Sequence, residues 1–343
     1  MDLRAEKKFQ ELLVPPNPGS RVYLPYAEFL EDLLCRRLNG MRCEHKLHIG
    51  EMDAVAAGRD GKIRQLRFKL DPAGFTGDHY LISGASGCGK THTAAVIVEE
   101  LANRAGFPLV ILDPHGEYEG LGLAGYGNGA VNEYPFDFRV SLYAYDPERW
   151  VNMLEKHMEL SQGRNRFSFK TIGNGWAKGS DKAGLEVVKK GMKEAVTEKS
   201  VTIINSQDLS KDERQSLHMR VIEALWADRS EGIVPPFVLI AEEAESLDMG
   251  IIGELASNAR RLGVSLCLLT QRPSELSGRI RSQMSTSFMG RTTEREDLEA
   301  VANLAGKNAG LLPELVQGEW VVKRVGIRHS AKVNVRNRLS LMV

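Results

Sequence analysis

One short run of the sequence combines residue types and spacings that suit a precise chemical task. An apolar segment, His79 to Ile82, is followed at once by Gly84-Ala-Ser-Gly-Cys-Gly-Lys-Thr91. Glycines at these spacings let successive backbone N–H groups point inward at an anion, and the start of the following helix adds a favourable dipole. The pattern G-x-x-x-x-G-K-[ST] between a strand and a helix therefore predicts a loop that binds the phosphates of a nucleoside triphosphate.

The side chains of this phosphate loop, residues 84–91, are expected to have distinct roles. Lys90 neutralises the β- and γ-phosphates, and the hydroxyl of Thr91 ligates magnesium. ATP and Mg²⁺ are therefore the predicted cofactors. The residues expected to bind the nucleotide are Gly84, Ala85, Ser86, Gly87, Cys88, Gly89, Lys90, Thr91 and His92.

A pair of acidic residues supplies the second part of such a site. Glu242 and Glu243 follow the apolar run Phe237 to Ala241. At the end of that strand, Glu242 is predicted to hold Mg²⁺ through its water shell, and Glu243 to polarise the attacking water as the general base. A run of carboxylates is usually a solvated face, but one that ends a wholly apolar strand fits the catalytic reading better.

A polar amide follows a third apolar run, Val264 to Leu269. Gln271 comes two residues later, at the end of the predicted strand. It is predicted to sense the γ-phosphate of a nucleotide on the adjacent loop. The alternative is an ordinary hydrogen bond at a strand end.

The elements that must position these residues alternate between strand and helix. Short apolar runs separated by helical stretches are typical of a parallel sheet with crossover helices. The sequence therefore predicts an α/β fold with a doubly wound, mainly parallel sheet. With the phosphate loop, this fold resembles that of the RecA-like P-loop NTPases. The predicted strands are His79–Ile82, Leu109–Leu112, Val201–Asn205, Phe237–Ala241 and Ser265–Thr270, and the predicted helices are Lys90–Ala105, Lys211–Trp226 and Ile252–Leu262.

The rest of the chain divides around this core. Residues 1–45 are predicted to form a helical extension with a second helix around Tyr26 to Leu38, 46–335 the core, and 336–343 a tail. Within the core, 121–200 is predicted to be a helical insertion, with helices over 147–160 and 185–196. A loop of this length is usually functional or mobile. The basic stretch 164–182, with Phe167, Phe169 and Trp176 among its charges, is a candidate DNA-gripping loop or a solvated surface insertion.

Bulk composition bounds the function classes. The 343 residues carry 45 Lys plus Arg and 45 Asp plus Glu, so only local patches can attract nucleic acid. Cys35, Cys43, His45 and His48 lack the paired knuckle spacing of a zinc site. The few cysteines predict a reducing cytoplasm, and no stretch approaches the length of about 20 apolar residues that a membrane span needs.

Several strings make the sequence more specific than a generic phosphate-binding fold. The segment Ile111 to Tyr118, ILDPHGEY, follows the first helix after the phosphate loop, and NARRLGVSLCLLTQRPSEL, SQMST and GEWVV come later in the chain. With these strings the chain resembles the HerA branch of the HerA/FtsK superfamily of hexameric DNA-translocating ATPases, over about 290 residues from Lys46 onwards. It looks like a short form that lacks a full N-terminal β-barrel domain.

The resemblance implies further roles and a partner. It implies the roles argued above for Lys90, Thr91, Glu242, Glu243 and Gln271, and an arginine that acts on the neighbouring subunit's nucleotide. The candidates for that arginine are Arg260, Arg261 and Arg291. Two positions depart from the family, Glu245 where histidine is frequent and Asn205 where aspartate is frequent, and neither removes a predicted phosphate or magnesium contact.

The leading functional hypothesis is a homo-hexameric DNA translocase or helicase. It would grip DNA without sequence specificity through a central pore, and its affinity would depend on salt. A nuclease or other effector is the expected partner, because no effector motif stands out in the chain. The alternatives are a viral genome-packaging ATPase and a ring-forming regulatory ATPase of an antiviral complex.

Overall fold

The protein is described by a computed structural model over residues 25–35, 46–121, 139–146, 148, 167–172, 182–325, 327 and 329–340. Within these ranges, the strands are β1 Leu47–Ala57, β2 Ile63–Leu70, β3 His79–Ser83, β4 Leu109–Asp113, β5 Arg139–Ala144, β6 Phe167–Thr171, β7 Ser200–Asn205, β8 Val238–Ala241, β9 Ser265–Thr270, β10 Met284–Met289, β11 Glu319–Arg324 and β12 Ala331–Val335. The helices are α1 Ala27–Cys35, α2 Lys90–Glu100, α3 Lys182–Ala195, α4 Lys211–Ser230, α5 Met249–Leu262, α6 Gly278–Gln283 and α7 Arg295–Ala305.

All described strands belong to one sheet of 12 strands, in the order β2-β1-β12-β11-β10-β3-β9-β8-β4-β7-β5-β6. From β10 to β6 every neighbouring pair is parallel. From β10 to β2 every pair is antiparallel. The predicted α/β fold with a mainly parallel sheet is confirmed, and the five predicted strands are its β3, β4, β7, β8 and β9.

Side chains on the central strands alternate between two apolar layers. On β4, Ile111 belongs to the layer that includes α2, whereas Val110 and Leu112 belong to the layer formed with α3, α4 and α5. A strand covered on both faces has no polar side, so its sequence is a continuous apolar run. This burial explains why the central strands could be read directly from the sequence.

The helix starts follow the local sequence. Ser210 caps α4 and forms a reciprocal capping box with Glu213, and Asp248 caps α5 through the N–H groups of Gly250 and Ile251. Such caps satisfy N–H groups that have no partner inside the helix. At its other end, α2 continues into one π-helical turn, Leu101–Ala105, so the predicted helix Lys90–Ala105 exists with a changed hydrogen-bond pattern.

The predicted helical insertion, 121–200, is different in the structure. It contributes two strands, β5 and β6, which extend the parallel sheet beyond β7, together with the helix α3. Part of the basic stretch 164–182 is therefore strand β6, where the sequence suggested a loop. Trp176 and nearly all of the helix predicted over 147–160 lie outside the described residues.

The amino-terminal side of the core also differs from the prediction. The helix α1 agrees with the expected second helix, while the first lies outside the described residues. Residues 47–70 form the hairpin β1–β2, which was not predicted, and β1 pairs with β12. Among the described residues, no helix is both long and apolar enough to cross a membrane.

The end of the described chain folds back onto α2. The segment 336–340, here called the carboxyl-terminal clamp, follows β12. The guanidinium of Arg336 lies 3.0 Å from Glu100 and donates to the carbonyl of His48 at 3.0 Å. The carboxylate of Glu99, almost fully buried, accepts the N–H groups of Leu339 and Ser340. The clamp therefore joins the end of β12, the start of β1 and the helix that follows the phosphate loop.

Candidate nucleotide site

Four neighbouring parallel strands place the predicted site residues together. In the order β3-β9-β8-β4, these strands end in the phosphate loop, Gln271, Glu242 with Glu243, and a loop over residues 113–118. Their carboxyl ends lie on the same edge of the sheet because they are parallel. Ligands of open α/β sheets bind at this edge.

The phosphate loop is braced by its neighbours through the backbone. Gly84 donates to the carbonyl of Thr270 at 3.2 Å, and Ala85 donates to the carbonyl of Arg291 at 2.7 Å. Gly84 has φ 153°, and a Cβ there would lie 2.9 Å from the sulfur of Cys88. A larger residue at position 84 would therefore clash inside the loop as well as strain the backbone.

Lys90 lies over the loop that it is predicted to serve. Its Nζ donates to the carbonyls of Gly84 at 3.0 Å and Ala85 at 3.2 Å. The ammonium group is thus held beside the first two residues of the loop. A phosphate bound there would meet this charge together with the loop's N–H groups.

The predicted magnesium residues lie beside two further side chains. The hydroxyl of Thr91 donates to Glu117 at 2.6 Å, and the hydroxyl of Tyr118 donates to Glu242 at 2.8 Å. Burial raises the pKa of Glu242 to about 7, opposed by the hydrogen bond from Tyr118 and by the nearby Thr91 hydroxyl, and assisted by the negative charges of Asp113 and Glu117. A buried carboxylate of this kind is stabilised by an added cation.

The loop over residues 113–118, here called the Asp113 loop, is organised by one carboxylate. Oδ1 of buried Asp113 accepts the N–H groups of His115, Gly116 and Glu117 at 2.8–3.2 Å, and Oδ2 accepts that of Tyr118 at 3.1 Å. Burial is the largest influence on Asp113 and raises its pKa, while these hydrogen bonds lower it. The loop's backbone donors face inward, so the side chains of His115, Glu117 and Tyr118 are left to face the site.

Glu243 has an uncommon backbone conformation and a defined side-chain position. Its φ is 49°, in the left-handed region that residues other than glycine seldom adopt. Nε2 of His115 lies 2.8 Å from its Oε1, and a guanidinium nitrogen of Arg214, on α4, lies 3.9 Å from its Oε2. Both carboxylate oxygens therefore face nitrogen groups from neighbouring elements.

The remaining residues singled out in the sequence make contacts outside this cluster of side chains. Gln271 is exposed, and its backbone N–H donates to Glu245 at 3.3 Å. The ring of His92 faces the carboxyl-terminal clamp, with Nε2 2.9 Å from the carbonyl of Arg336. Asn205, one of the two departures from the family, donates to Glu119 at 2.6 Å.

The three arginines separate into two groups. Arg291 follows β10 at the edge of the phosphate loop and braces Ala85 by its carbonyl. Arg260 and Arg261 lie in the last turn of α5, before the amino end of β9, and therefore on the opposite edge. Arg260 pairs with Asp78 at 3.1 Å, and Arg261 donates to Asn258 at 2.8 Å. All three side chains are exposed.

Sequence reasoning gave no individual role to several residues that lie within the site. These residues are Asp113, His115, Glu117, Tyr118 and Arg214. Four of them belong to the ILDPHGEY string, which served only to identify a resemblance. A usable signal was present, because Leu112 pairs with Ala241 across β4 and β8, and the residues that follow two paired strands must lie close together.

Comparison with known proteins gives a consistent picture. A family model described as "Helicase HerA, central domain" matches residues 47–230, more than half of the chain. The DNA double-strand break repair helicase HerA of Pyrococcus furiosus is 22% identical over 373 residues, which cover 79% of this chain and 67% of that protein. HerA of Sulfurisphaera tokodaii is 23% identical, covering 75% and 64%. The chain thus spans about two thirds of the length of these two relatives.

A solved structure shares the fold. VirB4 of Thermoanaerobacter pseudethanolicus superposes with a TM-score of 0.50 at 15% identity, covering 87% of this chain and 98% of that chain. The sheet order, the phosphate loop between β3 and α2, and the family match agree with one another. The chain therefore belongs to the family of the HerA helicase central domain and is a P-loop ATP hydrolase.

Proposed function

We propose that this chain is the motor subunit of a DNA translocase or helicase, which hydrolyses ATP at the interfaces of a homo-hexamer. The observation that carries the proposal is the convergence of the phosphate loop, Glu242, Glu243 and Gln271 on one sheet edge in a chain of the HerA family. The relatives from Pyrococcus furiosus and Sulfurisphaera tokodaii are named as DNA repair helicases, which supports DNA as the substrate.

The residues near Thr91 fit a magnesium ion. A hydroxyl and two carboxylates, from Thr91, Glu117 and Glu242, supply the oxygen ligands that this ion prefers, and Mg²⁺ usually shares its remaining positions with water and substrate phosphates. Thr91 and Glu242 would hold it, with Glu117 beside them. The ion would supply positive charge to the nucleotide's phosphates.

The hydrolytic step needs a base and a cation at fixed places. In the proposed reaction a water oxygen forms a bond to the γ-phosphorus, and the bond to the β–γ bridging oxygen breaks. The water's proton passes to Glu243, and Lys90 binds the phosphate oxygens that gain negative charge. Gln271, at the end of the strand next to the phosphate loop, would contact the γ-phosphate and detect its loss.

A cation from a second subunit would complete the site. Arg291 lies beside its own phosphate loop, so a role within its own subunit suits it better. Arg260 and Arg261 are exposed on the opposite edge, available to a neighbour, and in a helix adjacent side chains point about 100° apart, so at most one faces a given interface. A guanidinium delivered across an interface stabilises charge on the transferred phosphoryl group.

Mixing experiments test whether the site is shared. Replacing the true arginine by alanine should lower turnover by about 10³-fold with ATP affinity nearly intact. Mixed rings of that variant with Lys90→Ala should recover activity that neither parent has. Co-assembly without recovery, for each of Arg260, Arg261 and Arg291, would exclude these positions.

Two measurements test the proposed function: which molecule stimulates ATP turnover, and which assembly the subunits form. ATP hydrolysis should rise steeply with protein concentration and should be stimulated by DNA, and electron micrographs with ATP and duplex DNA should show six-fold rings around the duplex. Stimulation by an effector protein and not by DNA would instead indicate a regulatory ATPase. Docking on a capsid vertex would indicate a packaging motor.

A further inference from the structure

The Asp113 loop contacts Thr91, Glu242 and Glu243 of the proposed site, and its histidine contacts the proposed base. His115 Nε2 lies 2.8 Å from Glu243 Oε1, although 128 residues separate them. A carboxylate only accepts hydrogen bonds, so the ring donates its Nε2 proton. We propose that His115 is a positioning residue that orients Glu243 for proton abstraction; this inference rests on the proposed role of Glu243 as the base.

The geometry leaves one oxygen of Glu243 available for chemistry. Oε1 is occupied by the His115 donor. Oε2 lies 3.9 Å from the nearest nitrogen of Arg214, beyond hydrogen-bond distance. Oε2 is therefore the oxygen that accepts the proton from water, and the His115 bond decides where this oxygen points.

The loop that carries His115 is suited to hold a fixed position. The backbone N–H of His115 donates to Asp113 at 3.1 Å, and the same carboxylate fixes the next three residues. Glu243 itself has a left-handed backbone, which its surroundings must maintain against a cost of about 1–3 kcal/mol. Without the histidine, a carboxylate with about a third of its side-chain surface exposed is free to leave this orientation.

The contact is specific to one of the two acidic residues. Glu242 is held by Tyr118, whereas Glu243 is held by His115. Removal of the His115 ring is therefore expected to alter the base and leave the magnesium side intact. This separation predicts an effect on kcat without an effect on nucleotide binding.

The first test measures turnover and ATP affinity separately. His115→Ala should lower kcat by about 10- to 100-fold, because a small misplacement of a catalytic group has effects of that size, with the ATP dissociation constant within about twofold of wild type. His115→Gln, which retains a side-chain N–H donor, should recover part of the loss. It also carries the test if the alanine variant does not fold.

The second test is a double-mutant cycle with the base. In a Glu243→Gln background, His115→Ala should cause no further loss of turnover, because the group that it positions is already inactive. A merely structural role would lower turnover equally in both backgrounds. His48→Ala is the matched control, since His48 also lies 3.3 Å from a glutamate but on β1, and it should leave kcat unchanged.

The outcomes separate the inference from the proposed function. If Glu243→Gln retains wild-type turnover, the assignment of the base fails, and the inference fails with it. If Glu243→Gln is inactive while His115→Ala has normal or increased kcat, only the positioning role is wrong. Equal losses for His115→Ala in the two backgrounds would likewise overturn it.

Discussion

The phosphate loop and the Asp113 loop follow parallel strands of one sheet, yet they use their backbones in opposite ways. In the phosphate loop, the positive φ angles of the glycines suit a turn whose N–H groups would face a phosphate from outside the chain. In the Asp113 loop, four consecutive N–H groups are directed inward to the loop's own carboxylate. The first loop is therefore suited to bind an anion with its backbone, whereas the second contacts Thr91, Glu242 and Glu243 with its side chains.

This difference determines what each loop tolerates. The phosphate loop depends on glycine conformations and on one lysine, so its function should be lost abruptly while the fold survives. The Asp113 loop depends on a buried carboxylate, so its loss should affect stability and turnover together. Variants in the two loops can therefore be told apart by measuring both quantities.

The largest effect is expected from Lys90→Ala. Loss of the charge that bridges the β- and γ-phosphates should lower ATP hydrolysis by at least about 10³-fold. The melting temperature should change little, because the ammonium bonds only two carbonyls of the loop. Steady-state hydrolysis and thermal unfolding check both statements, and turnover within about tenfold of wild type would contradict the phosphate-loop assignment.

An intermediate effect is expected from Asp113→Asn. The amide replaces one acceptor oxygen by an N–H₂ group that faces backbone donors, so the free energy of unfolding should fall by about 1.5–3 kcal/mol. Turnover should fall with it, since His115, Glu117 and Tyr118 lose their common anchor. Chemical unfolding measures the first change. Unaltered stability would show that the inward hydrogen bonds do not hold the loop.

A smaller effect is expected from Tyr118→Phe. The substitution removes the hydroxyl that donates to Glu242, one of the proposed magnesium residues, and keeps the buried ring. The Mg²⁺ concentration for half-maximal hydrolysis should rise severalfold, while nucleotide binding measured without magnesium should not change. If nucleotide binding without magnesium were weakened by the same factor, the substitution would have damaged the site in general.

The smallest effect concerns the stability of the nucleotide-free protein against pH. Burial raises the pKa of Glu242 from 4.5 to about 7, so its protonated form favours the folded state. This contribution is fully present below pH 4.5 and is lost as pH rises through 7. Glu242→Gln should therefore lose less stability than wild type between pH 5 and 7.

The comparison with wild type at each pH is essential in that measurement. Burial lowers the pKa of His218 to about 3, which works in the opposite direction and weakens the fold as pH falls below 6.5. His218 is the same in both proteins, so the difference between their melting temperatures isolates Glu242. Parallel melting curves across the whole range would show that Glu242 is already ionised in the folded chain.

The elements that could be predicted from the sequence are those whose function or burial allows only a few residue types. The phosphate loop was predicted because anion binding requires glycines and a lysine at fixed spacing. The strands β4 and β9 were predicted because both of their faces are buried, which makes their sequences continuously apolar. The strands β1 and β2 were missed because they contain no continuous apolar run. They are half-exposed, and charged and apolar residues are mixed along them, as in IRQLRFKL. The strands β5 and β6 were missed because neither contains a long apolar run.

The contacts of the Asp113 loop required the structure. Histidine, glutamate and tyrosine within six residues have no fixed chemical meaning until their neighbours are known, and those neighbours lie up to 128 residues away in sequence. The roles of Gln271 and of the arginines remain predictions for the same reason. Their proposed partners belong to the nucleotide or to a second subunit.

The carboxyl-terminal clamp has a mechanical consequence. Gly50 and Val335 face each other on β1 and β12, so the chain enters and leaves this part of the fold at nearly the same point. A load that pulls these two points apart would act on an antiparallel pair from its end, opening its hydrogen bonds one at a time. Arg336 lies at that end and binds both the His48 carbonyl and the helix of the phosphate loop. A force that separates β1 from β12 would therefore reach the helix of the phosphate loop through the Arg336 guanidinium and through the hydrogen bonds of Leu339 and Ser340 to Glu99.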